Sequence, residues 1–138
     1  MTAIESFPKS VPDIGHYEGQ DAPWPAELRL FREEGRLEID FADGSSYSLP
    51  AEYLRVESPS ADVLGHGHGR RKIVSGRRHV KIALVEPVGH YAIRLVFDDR
   101  HDTGIYSWSY LRELGDSYTE RWAAYQAALL FRGLSRDP

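Results

Sequence analysis

Residues 91–97 read YAIRLVF, and this stretch decides the fold because large apolar side chains occupy every second position, as in a β-strand. A similar alternation lies upstream at Val80, Ile82 and Leu84, and Pro87-Val88-Gly89 separates the two runs with turn-forming residues. The two runs predict an antiparallel hairpin at the centre of the protein. Both faces of these strands carry apolar residues, so we expect one face to meet a sheet core and the other a helix.

The region upstream of this hairpin predicts a second antiparallel unit. Apolar residues alternate with polar ones in three short runs, which lie at Leu28 and Leu30, at Leu37, Ile39 and Phe41, and at Tyr47 and Leu49. Asp43-Gly44 supplies the two positive-φ positions of a tight turn between the second and third runs. Pro50 suits the start of a short helix that ends before Ser58-Pro59.

Two helices are predicted after the central hairpin. Residues 107–114 form a short helix that ends at Gly115, with Trp108 and Leu111 pointing inward. Residues 117–120 read SYTE, a capping box, and the following helix carries an apolar stripe at Tyr118, Trp122, Tyr125 and Leu129. This stripe either packs on the domain itself or forms a homodimer or partner face. The chain is therefore predicted to be α+β: a small, mainly antiparallel β domain with a short helix and a C-terminal amphipathic helix.

Length and composition limit the function. The 138 residues make one domain with one core; we divide the chain into an extended arm at residues 1–26, the domain at 27–116 and a C-terminal helix and tail at 117–138. The formal charge of -4 makes nucleic acid an unfavoured partner. The sequence has no bilayer-spanning apolar run and no apolar leader, so we expect a cytoplasmic protein without membrane contact. The absence of cysteine excludes disulfides, thiolate zinc sites and thiol nucleophiles.

Histidines and acidic residues suggest one candidate metal site. His66 and His68 flank a glycine in a glycine-rich loop, and His101 lies beside Asp99 and Asp102. Two imidazoles and a carboxylate are ligands for iron and other transition metals. A His-x-His pair between glycines is more often a solvated loop, so this pattern is weak. No serine has a recognisable nucleophile elbow and no phosphate-binding loop is present, so we predict no catalytic residues.

Positive charge is concentrated between Val63 and Val85, a stretch without an acidic residue. Its arginines and lysines are Arg70, Arg71, Lys72, Arg77, Arg78 and Lys81. Such a stretch either binds an anion, a nucleic acid or an acidic protein, or forms a solvated hairpin edge in which basic residues discourage strand pairing. The solvated edge is the favoured interpretation, because no aromatic residues interleave with the basic ones for stacking on single strands.

Four segments of the sequence resemble a known family. They are Phe41-Ala42-Asp43-Gly44, Leu54 to Ala61, Glu86 to Ala92 and Asp98 to Tyr110. With their spacing over residues 28–115 they look like the gamma-butyrobetaine hydroxylase-like N-terminal domain family. The resemblance implies a small, mainly β accessory module. Such modules occur as stand-alone bacterial proteins of unknown function, in gamma-butyrobetaine and trimethyllysine hydroxylases, and in some Mrp-type ATPases with iron–sulfur clusters.

The resemblance also implies where relatives bind a metal. Their zinc ligands, three cysteines and a distant histidine, fall on Ser58, Ser60, Val63 and His101 of this sequence. A serine hydroxyl is a poor zinc ligand and valine is none, so we expect the zinc site to be lost and no cofactor to be bound. The iron and 2-oxoglutarate sites of the hydroxylases belong to a separate catalytic domain that this chain is too short to contain, so we expect no enzyme.

Two functional hypotheses follow. The first is a non-enzymatic module that binds another protein, with a contact surface formed by Asp99, Tyr106 and Trp108 beside His101 and by the basic residues from Arg70 to Lys81. The second is a metal-binding protein linked to iron or iron–sulfur metabolism through the two loop histidines, His101 and a nearby carboxylate.

Overall fold

A computed structural model gives the fold, and it describes residues 24–59 and 73–138 together with the backbone of residues 4–7. In chain order the elements are β1 (Ile4–Phe7), β2 (Pro25–Phe31), β3 (Arg36–Phe41), β4 (Ser46–Pro50), α1 (Ala51–Val56), β5 (Ile82–Val88), β6 (Ala92–Phe97), β7 (Gly104–Ser107), α2 (Trp108–Asp116) and α3 (Tyr118–Arg132). The strands form two antiparallel sheets, ordered β1-β2-β3-β4 and β5-β6-β7. The predicted α+β class is confirmed.

The first sheet contains the predicted meander, and its inner face is apolar. Leu30 pairs with Leu37, and Leu37 pairs with Leu49, so these side chains share one buried face. The turn between β3 and β4 differs from the prediction, because only Gly44 takes a positive φ, of 94°. The Phe41 N–H donates to the Ser45 carbonyl at 2.8 Å, which makes a three-residue loop with glycine in the left-handed position.

The second sheet contains the predicted central hairpin, but the strand alternation slips in β5. Ile82 pairs with Phe97 and the next paired residue is Leu84, opposite Val96, so Ala83 is an extra residue at a bulge. Ile82 remains buried, whereas Leu84 turns outward and is 49% exposed. The expectation that both faces of this hairpin are covered is therefore wrong at Leu84.

The last helix begins after Ser117 and ends before Gly133 as predicted, but two details of the helix ends differ from the prediction. Helix α2 passes through Gly115 and ends one residue later, at Asp116. Gly115 does not end the helix; its missing Cβ atom makes room for the ring of Tyr47. Ser117 makes no side-chain cap for α3. Its hydroxyl donates to the Glu113 carbonyl of α2 at 2.6 Å and accepts from Arg121 at 2.8 Å, so the capping box is replaced by a bond to the preceding helix.

Helix α3 packs its aromatic stripe on the domain. The Tyr53 ring of α1 lies edge-on to Tyr118 at 4.7 Å, and the Tyr125 hydroxyl donates to the Val74 carbonyl at 2.6 Å. Arg136, after the helix, binds the buried Glu52 carboxylate through two bonds of 2.7 and 2.8 Å. The stripe is thus used within the chain and is not available as a dimer face.

The inner faces of both sheets, α1 and α2 meet in one apolar core. Within the part of the chain that the structure describes, no helix has both the length and the hydropathy of a bilayer-spanning segment.

Candidate functional site

The strand β6 is followed by a tight turn that positions His101. The Phe97 N–H donates to the His101 carbonyl at 2.9 Å, and the Arg100 N–H donates to the Phe97 carbonyl at 3.1 Å. This is the same bonding pattern as in the turn after β3, with Arg100 in the place of Gly44. Arg100 therefore has a φ of 73°, which is unfavourable for a residue with a Cβ atom.

Asp99 links this turn to two other segments. Its Oδ2 accepts a hydrogen bond from Arg55 Nε of α1 at 2.8 Å and pairs with Arg77 Nε at 2.7 Å, while its Oδ1 accepts from the His101 N–H at 3.1 Å. Burial opposes ionisation of Asp99, but the hydrogen bonds and the two guanidinium charges outweigh it and hold the pKa below the usual value. Asp99 thus links α1, Arg77 and the turn at His101, and both of its carboxylate oxygens already accept hydrogen bonds or pair with arginines.

His101 is buried against the end of α1. Its Nε2 lies 2.9 Å from the hydroxyl oxygen of Ser58, and both side chains are buried. These are two of the four positions at which the family resemblance places zinc ligands. Their proximity agrees with that correspondence, although His101 is in contact with a hydroxyl where a relative would have a thiolate.

The Ser58–His101 pair does not fit a zinc ion. Two ligand atoms about 2.0–2.3 Å from a tetrahedral zinc lie roughly 3.3 Å or more apart. The observed 2.9 Å is a hydrogen-bond distance, so no ion fits in the ordinary geometry between the two atoms. Nor can this serine and histidine act as a nucleophile and base on a substrate, because the Ser58 side chain is fully buried.

Tyr106 and Trp108, predicted for a contact surface, lie in the core. The Tyr106 hydroxyl donates to the Leu54 carbonyl, and burial raises the pKa of Tyr106. Trp108 Nε1 donates to the His90 carbonyl at 2.8 Å. The sequence prediction that these two side chains face a partner is wrong: β7 directs Tyr106 inward and presents Ile105 to the outside, and Trp108 is buried at the start of α2.

The basic residues that the structure describes are engaged within the chain. Arg77 pairs with Asp99, and Arg78 Nε lies 2.5 Å from the Asp137 carboxylate. Lys81 donates to the Glu33 carbonyl at 2.7 Å. The Gly76 and Arg78 N–H groups also bind carbonyls of the C-terminal tail. Residues 76–78 of the basic stretch are therefore hydrogen-bonded to the C-terminal tail.

Several predicted residues lie outside the described part of the chain. They are Ser60, Val63, His66, His68, Arg70, Arg71 and Lys72. Among residues 24–59 and 73–138, no group of three histidines and carboxylates is close enough together to hold a metal ion. The hypothesis of a metal site with His66 and His68 stays a prediction.

A cleft of about 370 Å³ lies between α1, residues 73–74 and α3. Its walls are mainly apolar, with Val56 and Tyr125 among them, and it contains Glu57 and Arg121. These two side chains form an ion pair of 2.9 Å, so the carboxylate already has a charged partner. The cleft therefore has no group prepared for acid–base or nucleophilic chemistry among the residues described.

The outer faces of the two sheets differ strongly in character. Arg29 on the first sheet binds Glu38 at 3.3 Å and Asp40 at 2.8 Å, so that face is covered by ion pairs. The corresponding face of the second sheet exposes Leu84 and Ile105, at 49% and 45%. Period-two alternation shows that both faces are apolar but not which of them is left exposed, so the expectation of a helix over this face is wrong at Leu84 and Ile105.

Comparison with known proteins identifies relatives of this chain. A family profile described as "Gamma-butyrobetaine hydroxylase-like, N-terminal" matches residues 28–112. No curated protein matches the sequence. Two NMR solution structures are similar to the chain, one with a TM-score of 0.75 and 43% identity over 90% of this chain and 92% of the other, the second with 0.72 and 44% over 83% and 90%.

A crystal structure from Acidithiobacillus ferrooxidans is also similar. It belongs to a protein with unknown function of the DUF971 family, with a TM-score of 0.56 and 44% identity over 66% of this chain and 91% of that one. The family profile covers more than half of the sequence, and the identities extend over most of both chains. The chain therefore belongs to the gamma-butyrobetaine hydroxylase-like N-terminal family.

Proposed function

We propose that this protein is a non-catalytic binding module that contacts another protein through the outer face of the β5-β6-β7 sheet. The observation that supports the proposal is the apolar group formed by the exposed Leu84 and Ile105 with the half-buried Val96. Leu84 and Val96 are direct cross-strand neighbours, and Ile105 lies diagonal to Val96 across the β6–β7 ladder. Contiguous apolar side chains on a solvated sheet face are typical of interaction sites.

The surroundings of this group resemble the rim of a protein interface. Arg94 and Glu86 are cross-strand partners on the same face and form an ion pair. Arg94 also donates to the Asp102 carbonyl at 3.0 Å. Interfaces between proteins commonly combine an apolar centre with charged residues at the edge, where water still reaches them. The partner is thus expected to present apolar side chains flanked by polar groups.

The first sheet supports this choice of face by contrast. Its outward residues Arg29, Glu38 and Asp40 satisfy one another, so that face gains nothing from being covered. Burial of ion pairs costs desolvation, whereas burial of Leu84 and Ile105 is favourable. Covering the outer face of the second sheet is therefore more favourable than covering that of the first, so a partner is expected to bind there.

The experiment places a photo-cross-linking residue at position 105, in the native host, and a matched one at position 38 on the first sheet. We expect a discrete cross-linked protein at position 105 that is absent at position 38. The captured protein is then purified and titrated against wild type, Ile105→Glu and Leu84→Glu. Each substitution should weaken binding on the order of tenfold or more, because each places a charge in an apolar interface.

Two results would overturn the proposal. One is the same set of cross-linked proteins at positions 105 and 38. The other is a captured partner whose affinity is unchanged by Ile105→Glu. Glu38→Gln serves as the control in the titration, since Glu38 lies on the ion-paired face of the other sheet.

A further inference from the structure

The outward face of α3 is uncharged over three turns. Between residues 121 and 131 the exposed positions are Ala123, Ala124, Gln126, Ala127, Leu130 and Phe131. Five of these six residues are apolar. The outward face of a solvated helix normally carries charged residues, so this face is prepared for burial.

Two large side chains end this face, and both are almost wholly in solvent. Leu130 is 83% exposed and Phe131 is 89% exposed. They lie on the opposite side of the helix from the buried Tyr125 and Leu129, which already satisfy the packing of α3 on the domain. Leu130 and Phe131 therefore belong to a second apolar surface, which does not contribute to the packing of α3 on the domain.

We propose that α3 pairs with α3 of a second copy of this chain, antiparallel and with the two-fold axis beside Ala127. The distribution of small and large side chains along this face favours a second copy of the chain as the partner. Small residues, Ala123 and Ala124, lie in the N-terminal half, and the large Leu130 and Phe131 lie in the C-terminal half. An antiparallel pair centred on Ala127 places each large residue opposite a small one, which fills the interface evenly.

The matching follows from helix geometry. With Ala127 on the axis, Phe131 lies four residues on one side and Ala124 three residues on the other, and both point to the same flank of the helix at 100° per residue. Leu130 and Ala123 match in the same way on the other flank. A parallel pair would instead set the large Leu130 and Phe131 of the two copies against each other and leave a gap between the alanines.

The area is sufficient for an association. Two copies of Phe131 would bury on the order of 300–500 Å², which is a third to a half of the roughly 1,000 Å² that a specific interface needs. Two copies each of Leu130 and the three alanines supply much of the rest. The absence of exposed charge from 121 to 131 also removes the repulsion that self-pairing of a charged face would cause. This inference does not depend on the binding face of the second sheet.

The first test is the mass of the protein in solution. Sedimentation velocity from micromolar to millimolar concentration should show wild type passing from monomer to dimer. Phe131→Glu should weaken this association on the order of tenfold or more. Gln126→Glu is the matched control, because it adds the same charge to the same helix on the flank of the face and should leave the dimer in place.

The second test is cross-linking through introduced cysteines, which is unambiguous because the chain has none. Ala127→Cys should form a disulfide-linked dimer under mild oxidation, since the two sites meet at the axis. Ala123→Cys should not link to itself, because its two copies are about 12 Å apart along the axis. A mixture of Ala123→Cys and Leu130→Cys should give the mixed dimer.

The proposal is overturned by a wild type that stays monomeric at millimolar concentration. It is equally overturned if Phe131→Glu dimerises like wild type, or if Ala123→Cys links to itself as fast as Ala127→Cys. Circular dichroism confirms that each variant is folded, which is expected because the substituted side chains are exposed.

Discussion

Replacement of Gly115 by alanine should lower the free energy of unfolding of this protein by about 1 kcal/mol. In an ordinary solvent-exposed helix, the same replacement stabilises the helix. Gly115 lies inside α2, where alanine is favoured over glycine by roughly 1 kcal/mol. A Cβ atom at this position, however, would lie 2.5 Å from Cδ1 and 2.6 Å from Cγ of Tyr47. The sign of the change depends on whether the Tyr47 ring can retreat.

The ring of Tyr47 is held on several sides. Its hydroxyl donates to the Asp116 carboxylate, its ring meets Phe41 edge-on at 5.9 Å, and the Arg112 guanidinium lies 5.7 Å from its centre. Ordinary van der Waals contact requires the ring to move by about 1 Å or α2 to tilt. Overpacking of this kind costs roughly 1–3 kcal/mol. After the helix gain is subtracted, the net loss is on the order of 1 kcal/mol.

The measurement is urea unfolding of wild type and Gly115→Ala. The transition is monitored both by circular dichroism and by fluorescence, and coincident curves verify two-state behaviour. The control is the same substitution in a Tyr47→Ala background, where the obstructing ring is absent. There Gly115→Ala should stabilise the protein by about 0.5–1 kcal/mol. A stabilising effect in the wild-type background, or no change of sign between the two backgrounds, would refute the reasoning.

Three further predictions concern the turn at His101. Arg100→Gly should raise the free energy of unfolding by about 0.5–1 kcal/mol, because relief of the positive φ exceeds the entropy cost of glycine, and Arg100→Ala should not. Because the pKa of Asp99 is lowered in the folded state, its stabilisation should be present above about pH 4 and lost as pH falls further. Asp99→Asn should cost about 2 kcal/mol at pH 7 by leaving Arg55 without its charge partner, and should flatten this acid dependence in urea unfolding. Elemental analysis after equilibration with zinc should find the same zinc content in wild type and His101→Ala, since Ser58 and His101 are hydrogen-bonded to each other; stoichiometric zinc that is lost in His101→Ala would contradict this.

Strand positions could be predicted from the sequence where apolar and polar residues alternate strictly, because only one face of the strand is buried. Leu37 and Ile39 are buried as their spacing indicates, because a polar residue separates them in β3. The alternation failed at Leu84, where a bulge adds one residue to β5 and reverses the side-chain direction. A bulge changes the register without changing residue type, so an apolar run gives no warning of it.

The absent side-chain cap at Ser117 and the extension of α2 past Gly115 have a different cause. Gly115 and Ser117 have the residue types of helix boundaries, but tertiary contacts determine their roles. Gly115 is needed for the close approach of Tyr47, and the Ser117 hydroxyl bonds the carbonyl of Glu113. Local rules describe what a residue does in an isolated helix, whereas here the neighbouring chain competes for the same groups.

The site was located by resemblance more than by local pattern. Periodicity could not bring Ser58 and His101 together, because they are 43 residues apart and no chemical signature links a serine to a histidine. The family correspondence places both residues at positions where relatives are expected to hold zinc ligands. The exposed Leu130 and Phe131 were missed because residues 127–131 read AALLF, in which buried and exposed positions are equally apolar.

The junction around His101 has enough internal bonds to hold together without a metal. A zinc site of the kind that the family resemblance implies would connect the end of α1 to the turn after β6. Here two polar contacts join the same regions, Arg55 to Asp99 and Ser58 to His101. Two more join the end of α1 to β7 and α2: Tyr106 to the Leu54 carbonyl and Tyr110 to the Glu57 carbonyl. Each is worth roughly 1 kcal/mol, and more where charged. Because the contributions are distributed, loss of one bond should weaken the junction without opening it, whereas loss of a single metal ion would release every ligand at once.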